Sequence, residues 1–167
     1  VQFLDEIEIH VPALRRYARA LTRDTDRADD LVQDCLERAI RKQALWQPTG
    51  SLKSWLFRIL LNLYRNELRT NRRRGEHVAV DTLLVEPSIA PAQPGRIALA
   101  EMSRAIDLLN TEQKEALLLV VLDGMSYAEA AEALSIPIGT LMSRLGRARA
   151  ALRTAVGGGT EEPRLRS

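Results

Sequence analysis

Apolar side chains recur every three or four positions along most of this chain, and the recurrence breaks into separate segments. Leu4, Ile7, Val11, Leu14, Ala18 and Leu21 form the first stripe, the spacing that lays one apolar face along an amphipathic helix. Pro12 is a point where that helix could kink. Asp24, Thr25 and Asp26 then offer N-cap chemistry and an acidic first turn. Ala28, Leu31, Val32, Cys35, Leu36, Ala39 and Ile40 carry a second helix that is expected to end near Trp46 and Pro48. Thr49, Gly50 and Ser51 open a third, with Leu52, Trp55, Leu56, Ile59, Leu60 and Leu63 as its stripe. So regular a spacing marks Trp55, Leu56, Ile59 and Leu60 as core.

Periodicity disappears between residues 75 and 95, where Pro87, Pro91 and Pro94 fall close together, a linker composition. Beyond it, residues 97–109 and 111–122 read as two further helices, and Asp123 with Gly124 reads as a stop. Ser126 and Glu129 are spaced as a capping box for a short Ala-rich helix that ends at Leu134. After a turn through Ser135 and Ile136, a last helix starts near Pro137. Two helices joined so tightly suggest a helix-turn-helix. The expected fold is all-α. Two small helical domains, residues 1–74 and 96–156, are joined by a flexible linker, 75–95, and followed by a flexible tail, 157–167. No strand pattern, repeat or heptad run competes with this reading.

Charge sharpens the picture. The 167 residues carry 24 Lys and Arg against 22 Asp and Glu, a near balance that hides local asymmetry. Residues 51–74 hold Lys53, Arg58, Arg65, Arg69, Arg72, Arg73 and Arg74 against Glu67 alone, a net +6. Residues 137–156 hold Arg144, Arg147, Arg149 and Arg153 and no acid, a net +4, while residues 75–95 and 96–136 carry −3 and −4. Two basic islands therefore stand in acidic surroundings, the footprint expected of two nucleic-acid contacts.

Several function classes drop out. One cysteine cannot form an internal disulfide, and Cys35 with the distant His10 and His77 makes no zinc cluster, so no metal and no cofactor is expected. No phosphate-binding Gly loop, nucleophile elbow or His-bearing triad is present, so the chain reads as no enzyme. Without a long apolar run or a basic-then-apolar start, the expectation is a cytoplasmic protein with no membrane partner.

On the last helix Leu141, Leu145, Ala148 and Leu152 share one face, leaving Thr140, Ser143, Arg144 and Arg147 on others. Short hydroxyls and Arg near the start of such a helix suit the major groove, where Arg can bond guanine bidentately. Arg149 and Arg153 are expected to meet phosphates or solvent. On the third helix Asn62, Tyr64, Arg65, Asn66 and Arg69 combine amide, aromatic and guanidinium chemistry, which suits single-stranded DNA.

Taken together, Asp29–Asp34, the run Trp55 Leu56 Phe57 Arg58 Ile59 Leu60 Leu61 Asn62, and Asp123 to Ala131 with Gly139 Thr140, Ser143 Arg144 and Arg147 Ala148 Arg149 resemble the small bacterial sigma factors of the extracytoplasmic-function group. The resemblance spans about residues 3–155. It implies a dissociable specificity subunit of RNA polymerase. Residues 1–74 would be similar to the domain that binds the promoter −10 element and the polymerase clamp, and residues 96–156 to the −35 binding domain.

By the same resemblance Asp30, Gln33 and Asp34 would dock on the clamp coiled coil, and the second domain on the flap. Asn62 would hold an extruded −10 base, and Arg65, Asn66, Arg69, Arg72 and Arg73 would follow the strand. Thr140, Ser143, Arg144 and Arg147 would contact the −35 duplex. Met142 departs from the family, where Lys or Arg is common, as does Gly146, where a bulkier side chain is common. Val11 to Leu21 resembles the general stress response subgroup, and an anti-sigma factor is the implied regulator. The rival reading is a conventional helix-turn-helix regulator binding duplex DNA as a dimer.

Overall fold

The computed structural model describes residues 2–46, 50–75 and 94–157. They form seven α-helices: α1 (Gln2–Thr22), α2 (Thr25–Arg41), α3 (Leu52–Arg73), α4 (Pro94–Asp107), α5 (Thr111–Val121), α6 (Tyr127–Leu134) and α7 (Ile138–Val156). No strand occurs among the described residues.

The local signals act where they stand in the chain. α1 runs unbroken through Pro12. Asp24 caps α2 by accepting from the Asp26 and Arg27 amides, and Ser51 caps α3 by accepting from the Ser54 amide. α2 stops at Arg41 rather than continuing to Trp46, because Lys42 leaves helical geometry (φ −97°, ψ 14°). A single 3₁₀ turn, Gln43–Leu45, follows. The turn folds Trp46 back onto Trp55, ring centroids 5.6 Å apart. α4 starts at Pro94, three residues before the expected Ile97, a first helical position where a missing N–H is no loss. The rest of the expected linker, residues 76–93, and the tail from 158 lie outside the described residues.

In the first half, α1, α2 and α3 bury Leu14, Tyr17, Ala18, Leu31, Val32, Cys35, Leu56, Phe57 and Leu60. Tyr17 and Phe57 meet edge to face at 5.2 Å, and Arg27 Nε donates to Glu67 at 2.8 Å to tie α2 to α3. Trp55 lies at the core's margin, partly buried. In the second half α5 is central, with Glu115, Ala116, Leu117, Leu118 and Leu119 all buried. Such burial on all sides requires neighbours around the whole helix, and α1, α6 and α7 supply them.

The two halves do not hang apart. α3 packs along α6 and α1 meets α5, so that one hydrophobic core runs through both. Polar ties line the seam. Tyr17 Oη donates to the Glu115 carbonyl at 2.9 Å and Lys53 Nζ to the Asp123 carbonyl at 3.0 Å. Ser54 Oγ donates to the Glu129 carbonyl at 3.1 Å, and Arg58 Nη2 to the Glu132 carbonyl at 2.8 Å. Glu132 sits in the last turn of α6, where carbonyls lack helical partners and a cation is favoured.

Candidate nucleic-acid interface

The tight turn between α6 and α7 positions the basic face of α7. The capping box starts α6: Ser126 Oγ accepts from the Glu129 amide and Glu129 Oε1 from the Ser126 amide. Ser135 ends the helix in the left-handed region at φ 56°, and the Ile136 amide returns to the Ala131 carbonyl at 3.1 Å. Pro137 then leads into α7, which buries Leu141, Leu145 and Ala148 with Leu152 packed beside them.

Ser143 and Arg147 are exposed, and Thr140 is half-buried. Arg144 has only 20% of its side chain exposed, with Nη2 3.8 Å from Glu112 Oε2. Arg149 is exposed and donates to the Tyr127 hydroxyl at 3.3 Å.

On α3, Asn62, Asn66, Arg69, Arg72 and Arg73 are exposed. Their neighbour Arg65 is committed elsewhere: its Nη2 donates to Glu115 Oε2 at 2.8 Å. The Glu115 side chain is 1% exposed, and this hydrogen bond holds the Arg65 guanidinium protonated even more firmly than usual. Tyr64, grouped above with the base-contacting side chains, is buried instead, and its hydroxyl donates to the Leu21 carbonyl. Burial pushes its phenol up to about 12. The ring is part of the core because it follows Leu60 and Leu61 at helical spacing, a position whose apolar side the sequence reading passed over.

Between the two basic islands lies an open cleft of about 530 Å³, bordered by Arg65, Arg69, Arg72, Glu112, Glu115 and Arg144. Its charged lining is four arginines against two glutamates, and Arg65 and Arg144 are paired with those glutamates. On the far side of the first half, Asp30, Gln33 and Asp34 are exposed on α2, opposite the buried Leu31, Val32 and Cys35. They form an acidic, amide-bearing face suited to a basic partner.

The remaining reactive side chains are structural in character. Cys35 is buried and donates to the Leu56 carbonyl at 3.4 Å, and burial pushes its thiol up to about 12, far from a nucleophile. His10 is half-buried, its pKa lowered by burial and by Lys53. His77 lies outside the described residues. Among the described residues no group of His, Cys, Asp and Glu could hold a metal ion, and no helix is long and apolar enough to cross a membrane.

Sequence reasoning missed the seam residues Tyr17, Lys53, Ser54, Arg58, Glu115 and Asp123. One signal was available for Glu115, an acid immediately preceding the apolar run Ala116 Leu117 Leu118 Leu119.

Comparison with known proteins agrees with this geometry. Residues 7–61 match the family described as the Sigma2 domain of PhyR, and residues 99–152 match Sigma-70, region 4. The ECF RNA polymerase sigma factor EcfG of Rhodopseudomonas palustris is 40% identical over 89% of this chain and 81% of its own. The ECF RNA polymerase sigma factor SigM of Mycobacterium tuberculosis is 32% identical over 89% of this chain and 74% of its own. Among solved structures, the sigma factor RpoE of Bartonella quintana, in complex with the anti-sigma factor NepR, superposes with a TM-score of 0.76 at 36% identity, covering 95% of this chain and 99% of that one. CnrH, in complex with the cytosolic domain of CnrY, gives 0.70 at 27% identity, covering 95% and 89%. With both sigma domains matched in order and relatives aligned over most of their length, this chain belongs to the ECF RNA polymerase sigma factors.

Proposed function

We propose that the division of labour within this sigma factor follows its two basic faces: α7 reads the −35 duplex and the C-terminal half of α3 holds the melted −10 strand. The observation that carries the reading is the exposure of hydrogen-bonding and cationic side chains on two different helices, Ser143 and Arg147 on α7, Asn62, Asn66, Arg69, Arg72 and Arg73 on α3. Each set suits its target. A helix presenting Arg and a hydroxyl fits the major groove, while an amide beside a row of cations fits an extruded base and its backbone. Thr140 and Arg144 border the α7 face, and Arg65 joins the α3 set when it is released from Glu115. Residues 1–74 form the −10 domain, 96–156 the −35 domain and 75–95 the connection.

Asp30, Gln33 and Asp34 dock on the clamp coiled coil of core polymerase, and the second half meets the flap. Bond formation belongs to the polymerase, and this chain contributes recognition without catalysis of its own, in the cytoplasm. A soluble anti-sigma factor restrains it, as part of a stress response. Support comes from RpoE, a 36% identical protein solved in complex with the anti-sigma factor NepR.

Purified chain mixed with core RNA polymerase and promoter fragments tests the reading. Arg147→Ala should weaken −35 recognition by about 1–3 kcal/mol in a competition binding assay. Asn62→Ala should slow promoter opening, followed by permanganate reactivity of unpaired thymines, while leaving −35 binding near wild type. Intact opening by Asn62→Ala would remove the base-pocket assignment. Tight palindrome binding by the chain alone, without polymerase-dependent transcripts, would sink the reading as a whole.

A further inference from the structure

Opposite its buried Leu141, Leu145 and Ala148, α7 presents Gly139, Ser143, Gly146 and Ala150, all exposed. A Cβ added at Gly139 or Gly146 would meet nothing within 4 Å. Up to Ala150 the outward strip of the helix therefore carries no side chain longer than that of serine, which lets its backbone approach the floor of a groove that is just wide enough for a helix.

One edge of this strip carries Thr140 and Arg147. Along the N-terminal part of the other edge stand Met142, 54% exposed, and Ile138 one turn earlier, 49% exposed, with Arg149 following two turns after Met142. Both lie in the N-terminal half of α7, the part of such a helix that reaches base edges. No described element covers them, so each leaves apolar surface in water that association with an apolar group would remove. In the major groove the apolar group on a base edge is the C5-methyl of thymine. Met, unbranched and with a polarizable sulfur, conforms readily to such a contact.

We infer that Met142 is a specificity-determining residue of this sigma factor, packing on a thymine methyl group in the −35 duplex, with Ile138 extending the apolar edge. The inference rests on the assignment of α7 to the −35 element. It divides the helix into a polar edge that bonds base and phosphate and an apolar edge that selects thymine against cytosine.

Replacing thymines of the −35 duplex one at a time by deoxyuracil removes the methyl and nothing else. With the holoenzyme, wild type should lose about fourfold in promoter affinity at one or two of these positions, the worth of one buried methylene. Met142→Ala should bind the thymine duplex more weakly and show no further loss with deoxyuracil at those positions, whereas Met142→Leu should keep the methyl dependence. Full methyl dependence in Met142→Ala, or none in wild type, would overturn the inference. The underlying assignment is tested separately in the same assay: if neither Arg147→Ala nor transversions of the −35 bases alter affinity, α7 does not read that element. If they do and deoxyuracil does not, only the role of Met142 fails.

Discussion

Asp123 follows α5 in the turn toward α6, and its side chain is fully enclosed. Oδ1 lies 3.5 Å from Arg16 Nη2, Lys53 donates to the Asp123 carbonyl rather than to the carboxylate, and among the described residues no group bonds Oδ2. Burial pushes the carboxyl up to about 6, with Lys53 and Arg16 only partly offsetting it. The folded chain thus holds this proton more tightly than the unfolded one. Its contribution to stability is fully present below the ordinary carboxylate pKa and is lost as pH rises through about 6. Asp123→Asn keeps the shape and removes the titration. It should exceed wild type in stability by about 2 kcal/mol near neutral pH and match it at about pH 4, as read from urea unfolding at the two values. Equal stability at both would contradict the assignment. In the sequence Asp123 reads only as a helix stop, because the Arg16 that faces it stands 107 positions away.

Helices α6 and α7 were legible almost to the residue, since what starts and ends them is local. A capping box needs only residues three apart, and the αL residue Ser135 and the following Pro137 end one helix and begin the next without help from the rest of the chain. Ser126→Ala removes one half of that box. It should cost about 1 kcal/mol, measured as a lower unfolding midpoint at unchanged slope, and should also weaken −35 binding, because α6 sets the angle at which α7 is presented. The faces of α3 were legible only in part. Of its stripe Leu56, Ile59 and Leu60 are buried as the spacing requires, while Leu52, Trp55 and Leu63 are only partly so. Arg65 and Arg69, however, look alike at the level of spacing, and Glu115 alone separates them, engaging Arg65 and leaving Arg69 exposed.

Across the whole molecule, Arg65–Glu115 is the shortest ion pair between the halves among the described residues, and its carboxylate is enclosed. Glu115→Gln retains the shape and one acceptor but deprives Arg65 of its counter-charge. Because Arg65 is partly exposed, the loss should be about 1–2 kcal/mol, below the value for a fully buried pair. The seam should also loosen, seen as a larger radius of gyration in X-ray scattering. A wild-type radius together with a wild-type unfolding midpoint would show that apolar packing of α3 on α6 holds the halves unaided. On the proposed function, Arg65 and Arg144 reach promoter DNA only by leaving the α5 carboxylates of Glu115 and Glu112 that they face here.

The amino-acid sequence by itself determined the helices, their caps, the helix-turn-helix and the two basic islands, because each rests on spacings within one or two turns or on a count along the chain. Only the tertiary structure decided which members of those islands remain exposed. Burial and ion pairing depend on partners tens of residues away, 50 for Arg65 and Glu115 and 32 for Arg144 and Glu112, and no local period encodes them. The same holds for Met142, whose exposed place beside Gly139, Ser143 and Gly146 is set by what α7 buries behind it.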